Sequence, residues 1–123
     1  MPELILILNI NNERIHSFER NLEEDNDYCK LYLLAYSCLD IINILVNKSN
    51  NSFFYCLIKS EYIVSLFLMK NGSRILVVSK EREKENVKLL CEKIYLIYKK
   101  YFLKEINEKI KSKEFLEEIN KLI

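Results

Sequence analysis

Apolar positions along this chain follow two rhythms. Leu4 to Ile10 is a nearly continuous apolar run, and Asn11-Asn12 after it reads as a turn. Arg14-Ile15-His16-Ser17-Phe18 then alternates polar and apolar at period two, so the two segments predict a β-hairpin. The acidic stretch Asn21 to Asp27 reads as a loop in which Asp25, Asn26 or Asp27 can cap a helix. The rhythm next changes to three and four. Leu31, Leu34 or Ala35, Cys38, Ile42 and Leu45 form a core stripe that predicts one helix from about Tyr28 to Val46. Asn47 to Asn51 is a polar loop, followed by strand-like segments Ser52 to Ile58, Tyr62 to Lys70 and Ser73 to Ser79. Asn71-Gly72, between the last two, is the strongest short hairpin signal in the chain.

Lys80 to Glu85 is a charged run that opens a long helix over about Glu83 to Leu103. Val87, Leu90, Cys91, Ile94, Ile97, Tyr98 and Tyr101 make its apolar face. A last short helix is expected over Lys113 to Leu122, with Ser112 as its N-cap and Phe115, Leu116, Ile119 and Leu122 facing the core. The order is β-β-α-β-β-β-α-α. Short turns join most strands, so the fold class is α+β: one five-stranded, mainly antiparallel sheet with helices on its faces. Nothing divides residues 1–123, which read as a single domain.

The first helix carries more apolar surface than one contact needs. Tyr28, Tyr32, Tyr36 and Leu39 form a second stripe beside the core stripe, and Asp40 stands between Leu39 and Ile41 in an apolar context. A helix apolar on more than one side must be covered on more than one side. Tyr28, Tyr32, Tyr36, Leu39 and Asp40 are therefore the candidate partner interface.

Composition narrows the function classes. Nineteen basic residues oppose eighteen acidic ones, for a net charge of +1, which argues against charge-driven nucleic-acid binding. The 14 aromatic residues follow core periodicities rather than lining a basic groove. Lys99, Lys100, Lys104, Lys109, Lys111 and Lys113 give a late basic bias interleaved with Glu105, Glu108 and Glu114, compatible at most with peripheral membrane contact. Met1-Pro2-Glu3 lacks the positive flank of a signal peptide, and no uninterrupted apolar run approaches the length of a membrane span. The four cysteines at 29, 38, 56 and 91 match no zinc spacing and are expected as buried free thiols. His16, the sole histidine, is expected to face solvent from its strand. One glycine cannot build a phosphate loop, and the carboxylate pairs Glu23-Glu24 and Glu117-Glu118 sit in mixed-charge surroundings. No catalytic residue, metal site or cofactor is predicted.

Several strings, in order, resemble a known family. Ser37-Cys38-Leu39-Asp40 on the first helix, Phe54-Tyr55-Cys56-Leu57, Tyr62-x-Val64, Phe67-Leu68 and Asn71 around the middle hairpin, and the strand Ile75-Leu76-Val77-Val78 belong to this set. Tyr95, Tyr98 and Tyr101 on the long helix and Ile110-x-Ser112-x-x-Phe115 near the end complete it. The chain resembles the sedlin family of small subunits of the transport protein particle (TRAPP) tethering complex, whose fold is longin-like. Two places depart from the family pattern. Asn43 replaces a second acidic residue one turn after Leu-Asp, and Tyr101-Phe102-Leu103-Lys104 replaces an Asn-Pro-Phe-Tyr type run. The second departure predicts that the long helix continues further.

The resemblance implies a non-catalytic adaptor in endoplasmic reticulum to Golgi transport. Its implied partners are other small longin-like and Bet3-like TRAPP subunits and, indirectly, a Rab-family GTPase. The implied location is cytoplasmic, peripheral to endoplasmic reticulum and Golgi membranes. The alternative within the same fold group is a small adaptin-type chain of a vesicle coat. An enzyme with an unrecognised site would need a deep polar pocket with convergent titratable groups.

Overall fold

The computed structural model describes residues 2–19, 25–48, 51–70, 72–80, 83–102 and 108–122. The strands are β1 (Leu4–Leu8), β2 (Arg14–Glu19), β3 (Phe53–Lys59), β4 (Ile63–Leu68) and β5 (Arg74–Ser79). The helices are α1 (Asp25–Tyr36), α2 (Leu39–Lys48), α3 (Lys84–Phe102) and α4 (Glu108–Leu122). The five strands form one sheet in the order β2-β1-β5-β4-β3, and every neighbouring pair is antiparallel. This is the α+β, longin-like arrangement that the sequence predicts.

Strand alternation sorts the core into two layers. Leu4, Leu6, Leu8, Leu66, Leu76 and Val78 face Leu31, Ala35, Cys38 and Ile42 of α1 and α2. Ile5, Ile7, Phe67, Ile75 and Val77 face α3 and α4. β1 is buried at every residue because helices cover both of its faces, which is why it reads as an unbroken apolar run. α3 lies over β3, β4 and β5, and α4 packs beside α3. Phe115 of α4 meets Phe18 of β2 edge-on, with ring centres 6.0 Å apart.

The β1–β2 and β4–β5 hairpin tips share one design. Asn9 N–H donates to Glu13 C=O at 2.9 Å, and Met69 N–H donates to Ser73 C=O at 2.8 Å. Inside these, Asn12 N–H donates to Asn9 C=O and Gly72 N–H to Met69 C=O. The fourth residue of each turn is left-handed, with φ of 63° at Asn12 and 90° at Gly72. This is a three-residue loop closing on a bulge, a geometry open mainly to Gly and Asn. Asn9 Oδ1 secures the first tip by accepting from the N–H groups of Asn11 and Glu13, each at 2.9 Å.

Four expectations are corrected. The single helix over Tyr28 to Val46 is two helices, interrupted at Ser37 and Cys38. There Cys38 N–H reaches Ala35 C=O at 3.2 Å, one residue short of the α-helical partner, and the Ser37 hydroxyl donates to Leu34 C=O at 2.7 Å. A serine hydroxyl that takes a carbonyl of the preceding turn loosens the ladder and bends the chain. α1 begins at Asp25, so Asp25 to Asp27 belong to the helix rather than to a loop. α4 begins at Glu108, so Ser112 lies inside it and is no cap. His16 is half-buried rather than solvent-facing: α4 packs on its side of β2, and its ring lies 5.0 Å from that of Phe115. The rest of the predicted loop, residues 21–24, and Asn71 lie outside the described residues.

Candidate interaction surface

The helical layer of α1 and α2 is fixed at three points. Leu31, Ala35, Cys38 and Ile42 are fully or almost fully buried and plug the break itself into the sheet. Lys30 Nζ donates to Glu61 Oε2 in the β3–β4 turn at 2.5 Å, and that cation holds the Glu61 carboxyl below its ordinary range. Both side chains are about half exposed, so the pair orients the helix more than it stabilises the fold.

The third point is an amide relay at the first hairpin tip. Asn12 Nδ2 donates to Asn43 Oδ1 of α2 at 3.1 Å, and Asn12 Oδ1 accepts from Arg74 Nη1 of β5. Arg74 is buried, and desolvation lowers its pKa. Asn43, where the family pattern has an acid, thus meets the buried guanidinium through a neutral intermediary.

The five candidate interface residues have different fates. Tyr32 is half-buried, its hydroxyl donating to the Glu19 carboxylate at the end of β2. Burial first, and then that hydrogen bond, raises its phenol above the ordinary range. Tyr36 stacks on it, ring centres 6.2 Å apart and planes at 19°, and remains 37% exposed. Leu39 packs partly into the core. Asp40 is exposed in the first turn of α2, where a negative charge favours the helix N-terminus. The side chain of Tyr28 lies outside the described residues. The structure therefore presents Tyr36 and Asp40 to solvent and leaves Tyr32 and Leu39 half-buried against the core.

The same layer exposes apolar side chains that neither sequence stripe contained. Leu33 is 73% exposed, Ile44 55% and Val46 40%. Leu33 and Tyr36, three residues apart, lie on one face of α1. The stretch Cys29–Asn47 has a mean hydropathy of 1.6 over an 18-residue window, enough by length and composition to cross a membrane, with 22% of that window buried. This corrects the expectation drawn from uninterrupted runs, because Lys30, Ser37 and Asp40 interrupt the run without lowering the average much. The signal that would have found these residues is the average itself: an apolar segment of which so little is buried leaves apolar surface in water.

The groups considered for chemistry are dispersed. All four cysteines are free. Burial pushes the Cys38 thiol up to about 11 and the Cys91 thiol up to about 12, which removes thiolate character. Cys56 is half-buried and Cys29 is exposed, contrary to the expectation that all would be buried. Their stretches of chain are apolar, but Cys29 lies on the outer side of α1 and Cys56 in an edge strand. Burial lowers the pKa of His16. Among the described residues no three His, Cys, Asp or Glu side chains gather where a metal ion could bind. Of the late basic residues, Lys100 pairs with Glu118 at 3.0 Å and Lys99 lies over the Tyr95 ring. The side chains of Lys104, Lys109, Lys111 and Lys113 lie outside the described residues.

Two comparisons bear on this surface. A protein-family model described as sedlin matches residues 9–123. No curated protein matches the chain.

Proposed function

The chain belongs to the sedlin family, and from that membership we propose that it acts as a non-catalytic adaptor subunit of a TRAPP-type vesicle-tethering complex in endoplasmic reticulum to Golgi transport. The family is one of TRAPP-type trafficking subunits. In this reading the partners are other small longin-like and Bet3-like subunits, a Rab-family GTPase is engaged indirectly, and the protein works in the cytoplasm at the membrane periphery.

The observation that carries the adaptor role is the outer surface of α1 and α2. Leu33, Tyr36, Ile44 and Val46 stay exposed while the core stripe between them is sealed. Burying a large aliphatic or aromatic side chain is worth about 1.5–3 kcal/mol, so several on one layer are an adequate anchor for a protein partner. Asp40 gives that surface a charge at its edge.

The test is affinity purification of the tagged full chain from its own cells at moderate salt. The reading predicts recovery of longin-like and Bet3-like subunits in fixed ratio, and loss of at least one of them with Leu33→Ser plus Ile44→Ser. Recovery of large coat subunits in their place would overturn it in favour of an adaptin-type chain.

A further inference from the structure

The edge strand β3 is built in two registers at once. Phe53 stands opposite Phe67 and Phe54 opposite Leu66, whereas Ile58 stands opposite Val64 and Lys59 opposite Ile63. Tyr55, Cys56 and Leu57 therefore share a single opposing residue, Ser65, two more than a regular ladder allows. The neighbouring pair of β4 and β5 runs without a shift. Cys56, at the centre of the excess, has φ of 62°, a left-handed backbone that its Cβ disfavours. Its N–H donates to Ser65 Oγ at 3.3 Å instead of to a ladder carbonyl. Leu57 and Ile58, although consecutive, both pack on the α1–α2 layer, which the alternation of a regular strand forbids.

Only one end of β3 is free to straighten. At the β3–β4 turn the register is fixed, because Ser60 N–H donates to Tyr62 C=O at 3.0 Å and leaves no chain to yield. At the other end Leu68 N–H donates to Ser52 C=O at 2.7 Å. Carrying the turn-side register through the whole strand sets Phe54 opposite Leu68 and Cys56 opposite Leu66. A slip of one residue would turn every side chain to the wrong face, but a slip of two keeps the faces. Phe53 and Tyr55 stay on the α3 side with Phe67 and Met69, and Phe54 stays with Leu66 and Leu68. Leu68 N–H passes from Ser52 C=O to Phe54 C=O. The straight strand regains ladder bonds and relieves Cys56, whereas the bulged strand keeps Leu57 on its layer and the hydrogen bond to Ser65.

We propose that β3 is a sliding strand with two states, the bulged register and a regular one, and that the exchange between them gives and takes slack at the end of α2. The slip moves the start of β3 by two residues, about 7 Å along β4. α2 ends at Lys48 and β3 begins at Phe53. In the regular register the stretch of chain between Lys48 and the point opposite Phe67 is two residues longer. That length is delivered to the helix that carries Ile44 and Val46. The device rests on strand pairing and stands or falls independently of the adaptor role.

The test is NMR on the full chain. Relaxation dispersion is expected to show exchange at the amides of Phe54 to Leu57, and exchange at the same rate at the methyls of Val46. Cys56→Gly, which accepts the left-handed backbone, should shift the ratio of states about tenfold toward the bulge and quench the exchange. Cys56→Val, whose β-branched side chain favours the extended strand, should move the cross-strand NOEs of Phe54 from Leu66 to Leu68. If Cys56→Val does not fold, exchange in the unaltered chain and its loss in Cys56→Gly decide. Absence of exchange in β3 of the unaltered chain, or Phe54–Leu66 NOEs retained in Cys56→Val, would overturn the two states. Exchange in β3 that leaves Val46 unaffected would overturn the link to α2.

Discussion

The two helical layers cover the same sheet in different ways. α3 runs unbroken for 19 residues, and α4 closes the remaining gap over β2 with Phe115 buried against Phe18, His16 and Tyr98. The exposed leucines of this layer are Leu89 and Leu96 on α3, seven residues apart with Glu92 and Lys93 exposed between them, and Leu116 on α4. The opposite layer covers its side with two shorter helices and leaves Leu33, Tyr36, Ile44 and Val46 in water within 14 residues of chain. The α1–α2 layer thus concentrates its exposed apolar side chains, and it is the surface proposed to meet a partner. Both layers bury a full row of side chains against the sheet, so an exposed apolar surface here does not signal a weak fold.

The sharpest way to break this comparison is to hollow the α3–α4 layer. Phe115→Ala should cost about 3–5 kcal/mol, read by urea unfolding, because it removes a fully buried ring that three other rings touch. A cost below about 1 kcal/mol would mean that α4 is not part of the core. Gly72→Ala, on neither layer, should cost about 1–2 kcal/mol through backbone strain at φ 90°, with Ile10 Cδ1 also 3.0 Å from the new Cβ. No loss of midpoint would show that the turn relaxes.

A smaller effect comes from pH. Burial depresses the folded pKa of His16 below its ordinary 6.5, so the unfolded chain binds the proton more readily. Stability due to His16 is complete above pH 6.5, falls as the pH drops through that value, and levels off below the folded pKa. The fall should disappear in His16→Gln, and its persistence would assign the dependence to other groups. The smallest change in stability is expected where the functional change is largest. Leu33→Ser with Ile44→Ser should move the unfolding free energy by no more than about 0.5 kcal/mol per site while releasing a partner. Leu96→Ser, an equally exposed leucine on the other layer, should release none.

Much of this architecture was legible in the sequence because its periods are clean. Leu4 to Leu8, the alternation at β2 and the Asn71-Gly72 turn located the strands to within about two residues. The break between α1 and α2 was not legible, because Ser37 and Cys38 disturb neither composition nor spacing. It arises from a hydroxyl that competes for a carbonyl. The break leaves the core stripe in phase: Leu31, Ala35, Cys38 and Ile42 are buried on both sides of it. Ile44 lies opposite that stripe in any helical projection, and it was passed over in favour of the tyrosine stripe. His16 was misplaced for a different reason: strand alternation says which residues share a side, not whether a helix eighty or more positions away will cover it.

β1 lies between β2 and β5, and Leu4 pairs with Val78. During synthesis the most apolar strand of the protein leaves the ribosome long before the strand that completes its ladder exists. β3, β4 and β5 form a local meander with short loops, whereas insertion of β1 must close most of the chain into a loop. Until then Leu4-Ile5-Leu6-Ile7-Leu8 has only β2 beside it and one open edge. The nascent chain is most vulnerable to aggregation in that interval, and a chaperone that shields the first ten residues would protect it.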